Sequence, residues 1–186
     1  MSKEKIRNNL IMHGPLALVT GAVFALDLVT KYLIEKNFKD HETLDILGSF
    51  VQLILIYNKG GVFGIGQGKT TFFLIVSFLV LIFIFYTYFS TSPRTMAFKI
   101  SMGLVLGGAF GNMYERIWSQ KGVVDFVYIG WDKYAEIFGQ KIFLRWPAFN
   151  VADAAILIGA ILLAVILWNI DKAKKVDMGS EKENRH

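Results

Sequence analysis

Four long apolar runs, separated by polar stretches, dominate the pattern of this 186-residue chain. They predict helices over about 15–34, 71–90, 96–114 and 151–170. Each run approaches the ~20 residues that a helix needs to cross the hydrocarbon core of a bilayer. The second run contains no charged residue, which makes it the clearest of the set. The pattern therefore predicts a mainly α-helical membrane protein with four transmembrane helices.

The polar stretches include two long loops, 35–70 and 115–150, which fall on the same side of the predicted membrane. Within them, residues 50–57 and 123–129 are rich in β-branched and aromatic side chains, a composition that favours strands. Loops this apolar are poorly suited to free solution. We therefore predict a small β-rich element that lies on the extracytoplasmic membrane surface.

Other segments are predicted from their glycines and charges. The glycines of residues 58–66 indicate tight backbone turns, and the more polar residues 131–140 indicate a mobile excursion. Residues 1–14 form a basic arm that ends where the first helix begins. The charged tail, 171–186, is predicted to be disordered and cytoplasmic. Residues 1–170 then make one membrane-embedded domain.

Composition supports the membrane assignment and narrows the chemistry. Hydrophobic residues make up 54% of the chain and the mean hydropathy is +0.45, which excludes an ordinary soluble domain. The absence of cysteine excludes disulfides and thiol nucleophiles. The net charge is +5, and ten of the 20 Lys and Arg lie in the arm, in the middle turn together with Lys99, and in the tail. That density places both termini in the cytoplasm and suits anionic lipid headgroups, while nothing indicates nucleic acid.

Seven polar residues fall at one predicted depth, the outer membrane boundary, when the helices cross the bilayer alternately. Ionisable groups at membrane depth are energetically expensive and tend to mark function. A structural interpretation is open for some of them, since Asn112 and Arg116 would also close the outer end of the third helix. The seven residues are Asp27, Lys31, Asn112, Arg116, Asp125, Asn150 and Asp153.

Two further pairs have structural alternatives. Asn150 and Asp153 fit a helix N-cap with an acid in the first turn, where the helix dipole favours a negative charge. Asp27 and Lys31, four residues apart on one helical face, fit a structural ion pair. Asp125, set among apolar neighbours, has no capping role. A catalytic or ion-conducting role is therefore easiest to argue for Asp125.

The chemistry that remains is that of a carboxylate pair, Asp125 with Asp153. The chain has no HExxH, GxSxG or phosphate-loop motif, and no metal or cofactor is expected. Carboxylates held close together share one proton and titrate as a unit. The ionised partner can take a proton from water while the protonated one polarises a carbonyl oxygen, an arrangement that fits peptide hydrolysis. The helix dipole makes Asp153 the candidate general base.

Two other classes of protein remain open on this reasoning. A small transporter or proton-pathway protein would use the same acids as an ion relay, but it would distribute them through the depth of the bilayer. A non-enzymatic assembly subunit would leave Asp125 without a role.

Five short motifs contain the polar residues of the outer boundary and span about residues 15–170. They are Asp27-x-x-x-Lys31, Asn58-x-Gly60-x-x-Phe63, Gly111-Asn112-x-x-x-Arg116, Val124-Asp125-Phe126 and Trp146-Pro-Ala-Phe-Asn-Val-Ala-Asp153. In order and spacing they resemble the motif series of lipoprotein signal peptidase, the bacterial signal peptidase II. The last motif is specific by itself, and the set is very specific.

The resemblance implies an aspartic endopeptidase of the bacterial inner membrane, with Asp125 and Asp153 as its catalytic dyad. Such an enzyme would remove signal peptides from diacylglyceryl-modified prolipoproteins by cutting just before the lipidated cysteine. Its active site would face away from the cytoplasm, among membrane lipids. A globomycin-type inhibitor would block the dyad.

The same resemblance implies roles for the residues that surround the dyad. One group would bind substrate or support the two aspartates: Asn112 and Asn150 would orient them, and Asn58 and Arg116 would line the cleft. The full group is Asn58, Gly60, Asn112, Arg116 and Asn150.

A second group would provide structural support, since Asp27 with Lys31 would brace the outer end of the first helix. Two features depart from the family pattern. Glu115 stands where an aspartate commonly precedes the arginine, and the segment 131–145 is longer than usual.

Overall fold

The protein consists of long helices and one small sheet, in a computed structural model that describes residues 3–60, 70–92, 94–137 and 140–183. The prediction of a mainly helical protein with a small β-rich element is confirmed, while residues 61–69, where tight turns are predicted, lie outside the described part. The elements are α1 (Lys3–Asn37), β1 (Thr43–Leu47), β2 (Val51–Asn58), α2 (Thr70–Ser90), α3 (Met96–Trp118), β3 (Val123–Ile137), β4 (Gln140–Phe149) and α4 (Val151–Glu183).

The first and last helices extend beyond the predicted spans. α1 begins at Lys3, so the basic arm is helical and Pro15 lies inside the helix. The missing N–H of a proline is tolerated more readily in a membrane helix, where neighbouring helices can satisfy the freed carbonyl. α4 continues to Glu183, so the prediction of a disordered tail is wrong. The ion pair of Asp171 with Lys175, at 2.7 Å and at helical spacing, lies within this polar extension and favours its helical form.

Among the residues that the structure describes, three helical segments are long and apolar enough to cross a membrane: His13–Asn37, Thr71–Ser90 and Val151–Ala173. α3, which the sequence predicts as a further span, does not reach this composition because its glycines and polar residues lower its hydropathy. The composition of the described helices is therefore that of a membrane protein in which α3 differs from the others.

α3 is enclosed by its neighbours, and its glycines permit the close approach. Three glycines at four-residue spacing face three α1 residues with the same spacing, the arrangement expected when i±4 ridges meet. A Cβ added to any of the three would clash with α1. The three glycines therefore form a packing surface between α3 and α1. The facing pairs are Gly103 with Val19, Gly107 with Val23 and Gly111 with Asp27.

The sheet has the strand order β1-β2-β3-β4, with every neighbouring pair antiparallel. β2 and the first half of β3 agree with the predicted strands. β1 was not predicted from the sequence: all five of its residues are exposed, so it lacks the alternation of buried and exposed positions that marks a strand.

Residues 131–137, predicted as part of a mobile excursion, instead continue β3, and β4 begins at Gln140. Residues 138–139 of the predicted excursion lie outside the described part. Contacts at the base of this hairpin account for its order. Arg145 donates a hydrogen bond to the backbone oxygen of Ser49 at 2.7 Å, and its guanidinium lies 4.4 Å from the ring centroid of Tyr128. The rings of Phe50 and Trp131 are also 4.4 Å apart. The backbone of this polar segment is therefore paired between β3 and β4.

A small apolar cluster joins the sheet to the helices. Ile34 at the end of α1 is buried against Leu55 of β2 and against Val124 and Phe126 of β3. In the same region Ile56 of β2 pairs with Asp125. The cluster therefore fixes Asp125 where the sheet meets the helix ends.

Candidate active site

Asp125 and Asp153 lie in one buried site with Asn150 between them. Asp125 is on β3 and only 3% exposed, and Asp153 is in the first turn of α4. The Asn150 side-chain amide donates to Oδ1 of Asp125 at 2.8 Å, while its backbone N–H donates to Oδ2 of Asp153 at 3.3 Å. A single residue thus contacts both carboxyl groups.

Asn150 is also the N-cap of α4. Its Oδ1 accepts from the N–H of Asp153 at 2.9 Å, and the carboxylate of Asp153 accepts from the Asn150 N–H in return, as in a capping box. Because this N–H fixes the position of Oδ1, Nδ2 must point the other way, toward Asp125 and the carbonyl of Val124. The cap and the site, which sequence reasoning treats as alternatives, are one arrangement.

Asn112 of α3 holds the other side of Asp153. Its Nδ2 donates to Oδ1 of Asp153 at 2.7 Å, and its Oδ1 accepts from Lys31 Nζ at 3.0 Å. An ammonium group can only donate, so the side-chain oxygen of Asn112 must face Lys31. The amide is therefore oriented with its N–H group toward the carboxylate.

A buried charge cluster supports Asn112. Nζ of Lys31 lies 2.8 Å from Oδ2 of Asp27 and 2.7 Å from Oε2 of Glu115. Asp27 is 0% exposed and also accepts the N–H of Ala152 at 2.9 Å, in the first turn of α4. The Asp27–Lys31 pair thus connects three helices, a wider role than bracing the end of α1.

Glu115 is a member of this cluster that sequence reasoning did not assign to the site. Its Oε2 accepts from Lys31 and also from the backbone N–H of Val124 at 3.2 Å, directly before Asp125. The available signal was its place between Asn112 and Arg116 near the end of α3. That signal is weak, because acids near helix ends are common on solvated surfaces.

Asn58 and Gly60 approach the site from β2. Nδ2 of Asn58 donates to Oδ2 of Asp125 at 3.0 Å, and the N–H of Gly60 donates to Oδ1 of Asn58 at 2.8 Å. The turn after β2 therefore orients the Asn58 amide toward the carboxyl group of Asp125.

Arg116, in the last turn of α3, is half-buried beside the same site. Its positive charge is attracted by Asp153 most strongly and then by Asp125. The structure therefore brings together all nine residues singled out from the sequence and adds Glu115.

Known proteins share this arrangement of helices and sheet. A family profile described as signal peptidase (SPase) II matches residues 19–169. The chain belongs to the signal peptidase II family. The lipoprotein signal peptidase of Syntrophotalea carbinolica is 35% identical over 156 residues, which cover 82% of this chain and 90% of that protein. The lipoprotein signal peptidase of Moorella thermoacetica is 37% identical over 150 residues, 80% of this chain and 89% of that one.

Solved structures agree with the family assignment. A bacterial membrane enzyme determined by the in meso method at 2.3 Å resolution has a TM-score of 0.73 and 30% identity, covering 87% of this chain and 92% of its own. A second, at 1.9 Å, has a TM-score of 0.67 and 30% identity, covering 83% and 92%. The family predicted from the motifs is confirmed: the chain is a bacterial membrane protease of the signal peptidase II type, which acts in lipoprotein maturation.

In this signal peptidase II, Asp125 keeps its proton to a higher pH than an aspartate in water does. Burial raises its pKa from 3.8 to about 7, and repulsion from Asp153 acts in the same direction. Hydrogen bonds from Asn58 and Asn150 and the charge of Lys31 lower its pKa and oppose these effects. The carboxyl group therefore keeps a proton near neutral pH.

The stability of this signal peptidase II relative to its Asp125→Asn variant is expected to fall as the pH rises from 5 to 7. The unfolded chain loses the Asp125 proton near pH 4, whereas the folded protein keeps it to about 7. The stabilisation from the bound proton is thus complete below the unfolded pKa and is lost as the pH rises through the folded one. At about 1.4 kcal/mol per pH unit, the difference changes by about 2–3 kcal/mol.

Reversible unfolding in mixed micelles at several pH values measures this difference. Asp45→Asn, at an exposed position on β1, is the control and should follow the wild-type pH dependence. Parallel curves for the wild type and Asp125→Asn would show that Asp125 titrates normally.

Proposed function

We propose that Asp125 and Asp153 are the catalytic dyad of this membrane-embedded aspartic endopeptidase. Its substrate is a prolipoprotein that carries a diacylglyceryl group, and the cut lies just before the lipidated cysteine. The observation that supports the dyad best is Asn150, which holds one oxygen of each carboxyl group. Two carboxyl groups held by one residue meet the geometric need of a pair that shares a proton.

Asp153 is the general base in this proposal. Its oxygens accept hydrogen bonds from Asn112 and from the backbone of Asn150, and it lies at the N-terminus of α4, where the helix dipole favours a negative charge. Asp125 is on a strand, which has no comparable dipole, and its pKa of about 7 favours the protonated form. The difference between the two environments makes Asp153 the base and Asp125 the acid in this proposal.

Hydrolysis then proceeds in two proton-coupled steps. Asp153 takes a proton from water as the water oxygen bonds to the scissile carbonyl carbon, and the proton of Asp125 neutralises the carbonyl oxygen. The resulting tetrahedral intermediate collapses when the C–N bond breaks. The amine of the lipidated cysteine takes the proton held by Asp153, and Asp125 recovers its own proton from the intermediate's hydroxyl. Both carboxyl groups return to their starting states.

The surrounding polar residues orient the dyad and receive the substrate. Asn112 and Asn150 hold Asp153 and Asp125 through the hydrogen bonds described above. Asn58 donates to Oδ2 of Asp125, and Arg116 adds positive charge beside both carboxyl groups. Substrate backbone is expected to pass between Asn58, with its neighbour Gly60, and Arg116.

We further propose that α3 is a fourth transmembrane helix. It is long enough, with 23 residues, and its glycine face is covered by α1 instead of lipid, which reduces the apolarity that it needs. Four alternate crossings bring the C-terminal ends of α1 and α3 and the N-terminal end of α4 to one side. The dyad is at that side, and both termini are on the other.

The basic terminal segments favour termini in the cytoplasm, and in the proposed topology the dyad then faces the extracytoplasmic side. The sheet then lies on the outer membrane surface. Exposed tryptophans suit that level, because aromatic rings favour the membrane–water interface. Membrane lipids surround the site, and a globomycin-type inhibitor would bind there by occupying the dyad. The exposed tryptophans on this side are Trp118, Trp131 and Trp146, while the exposed Trp168 lies on α4 toward its other end.

Incubation of the purified protein in detergent with a diacylglyceryl-modified precursor, followed by mass spectrometry, tests the proposal. The expected product begins at the lipidated cysteine. The matched control is the same precursor without the diacylglyceryl group, which should remain uncut. Cleavage at another position, or equal cleavage of both precursors, would contradict the proposed substrate.

A further inference from the structure

Val124, the residue before Asp125, lies on an open edge of β3. β2 pairs with this part of β3 on one side, with Tyr57 opposite Val124, while β4 pairs with β3 only from Val127 onward. In an antiparallel strand the N–H and C=O of one residue point to the same edge. Both backbone groups of Val124 are therefore directed away from a strand partner and need another one.

The helices supply both partners. The N–H of Val124 donates to Oε2 of Glu115 at 3.2 Å, and its C=O accepts from Nδ2 of Asn150 at 3.2 Å. Asn150 is part of the dyad's own hydrogen-bond network, but Glu115 touches neither carboxyl group through the contacts described. Its link to the chemistry is through the backbone beside Asp125.

Lys31 fixes the other side of Glu115. The same oxygen that accepts from Val124 lies 2.7 Å from Nζ of Lys31, which also donates to Asn112 at 3.0 Å. The Lys31 ammonium group is therefore connected to both aspartates. One chain of hydrogen bonds runs through Asn112 to Asp153. The other runs through Glu115 to the backbone of Val124, the residue before Asp125.

We propose that Glu115 is a positioning residue: it spans the gap between Lys31 and the Val124 N–H and so sets the separation of the two carboxyl groups. This rests on the proposed dyad. The family commonly has an aspartate at this position, whereas in this chain a single glutamate oxygen reaches two donors on different elements. The length of the side chain is therefore the essential property in this protein. Its burial, with 8% exposure, keeps water from replacing it as the acceptor.

Two substitutions of Glu115 separate the effect of its side-chain length from the effect of its negative charge. Glu115→Gln keeps the length and an oxygen that can accept from both donors, so kcat and KM are expected within about threefold of wild type. Glu115→Asp keeps the charge but withdraws the carboxyl group by one methylene. A displacement of about 1 Å at a catalytic group lowers the rate by up to about 100-fold, so kcat is expected to fall roughly 10- to 100-fold with KM nearly unchanged.

Glu42→Asp, the same change at an exposed position, is the matched control and should retain wild-type kcat. Wild-type kcat in Glu115→Asp, or equal losses in Glu115→Asp and Glu115→Gln, would overturn the proposal. Failure of the dyad itself is distinguished by Asp125→Asn, because an active Asp125→Asn protein would refute the proposed dyad whatever the Glu115 variants do.

Amide hydrogen exchange in the wild type and Glu115→Gln keeps the proposal testable if Glu115→Asp does not fold. The Val124 amide is expected to be protected in both proteins. Rapid exchange of that amide in the wild type would show that Glu115 does not hold it, and the proposal would fail.

Discussion

Replacing Asp153 with asparagine is expected to reduce cleavage of lipidated precursor by about 10⁴-fold while the protein remains folded. Asparagine has nearly the same shape, and its single side-chain oxygen can accept from one of the two N–H groups that hold the carboxylate. The backbone N–H of residue 153 still donates to Asn150, so this part of the α4 cap is retained. It cannot take a proton from water. The parallel change, Asp125→Asn, removes the acidic proton and should have a similar effect on kcat.

Single-turnover cleavage of a lipidated precursor in detergent, with thermal unfolding of each protein, measures both properties. Asp171→Asn is the matched control because this exposed carboxylate lies on α4 far from its first turn. That variant should cleave at the wild-type rate. Cleavage near the wild-type rate by Asp125→Asn or Asp153→Asn would exclude the dyad, since either carboxyl group would then be dispensable.

Replacing Lys31 with methionine is expected to destabilise the fold by about 3–5 kcal/mol, the usual effect of removing one partner of a buried ion pair. The change leaves Asp27 and Glu115 without the ammonium that lies within 2.8 Å of each. It also removes the donor that orients Asn112. We therefore expect activity to fall even in the fraction that remains folded.

Lys36→Met provides the comparison, because Lys36 is on the same helix but exposed, where substitutions usually change stability by about 0.5 kcal/mol or less. Unfolding in mixed micelles measures the loss of folding stability in each of the two variants. Adding Glu115→Gln to Lys31→Met should restore part of the stability, because one of the unbalanced buried charges is removed. Equal stability of the Lys31 and Lys36 variants would show that the charge cluster contributes little.

Much of this site could be predicted from the sequence because membrane depth and motif spacing constrain where polar groups lie. Charged groups inside long apolar runs have few acceptable positions, so Asp27 and Lys31 had to meet other polar groups at a shared level. The N-cap at Asn150 followed from local rules that depend on neighbours in sequence alone. Such features need no knowledge of which elements pack together.

Other features depended on tertiary contacts that no local pattern encodes. β1 is held by backbone pairing to β2, and its exposed side chains carry no periodic signal. The β3–β4 hairpin is fixed in part by Arg145, whose partners Ser49 and Tyr128 are distant in sequence. Glu115 gained its role because β3 has an open edge at Val124, and an open edge is visible only when the sheet register is known.

The capping box at Asn150 has a consequence for how heat or denaturant should affect this enzyme. The hydrogen bonds that begin α4 also hold Asp153, so fraying of a single helical turn would disrupt the geometry of the proposed dyad. Helix ends open locally at free energies well below that of global unfolding. The fraction of active protein should therefore depend on the local folding equilibrium of the first turn of α4. Activity should decline over a temperature range in which most of the protein is still folded.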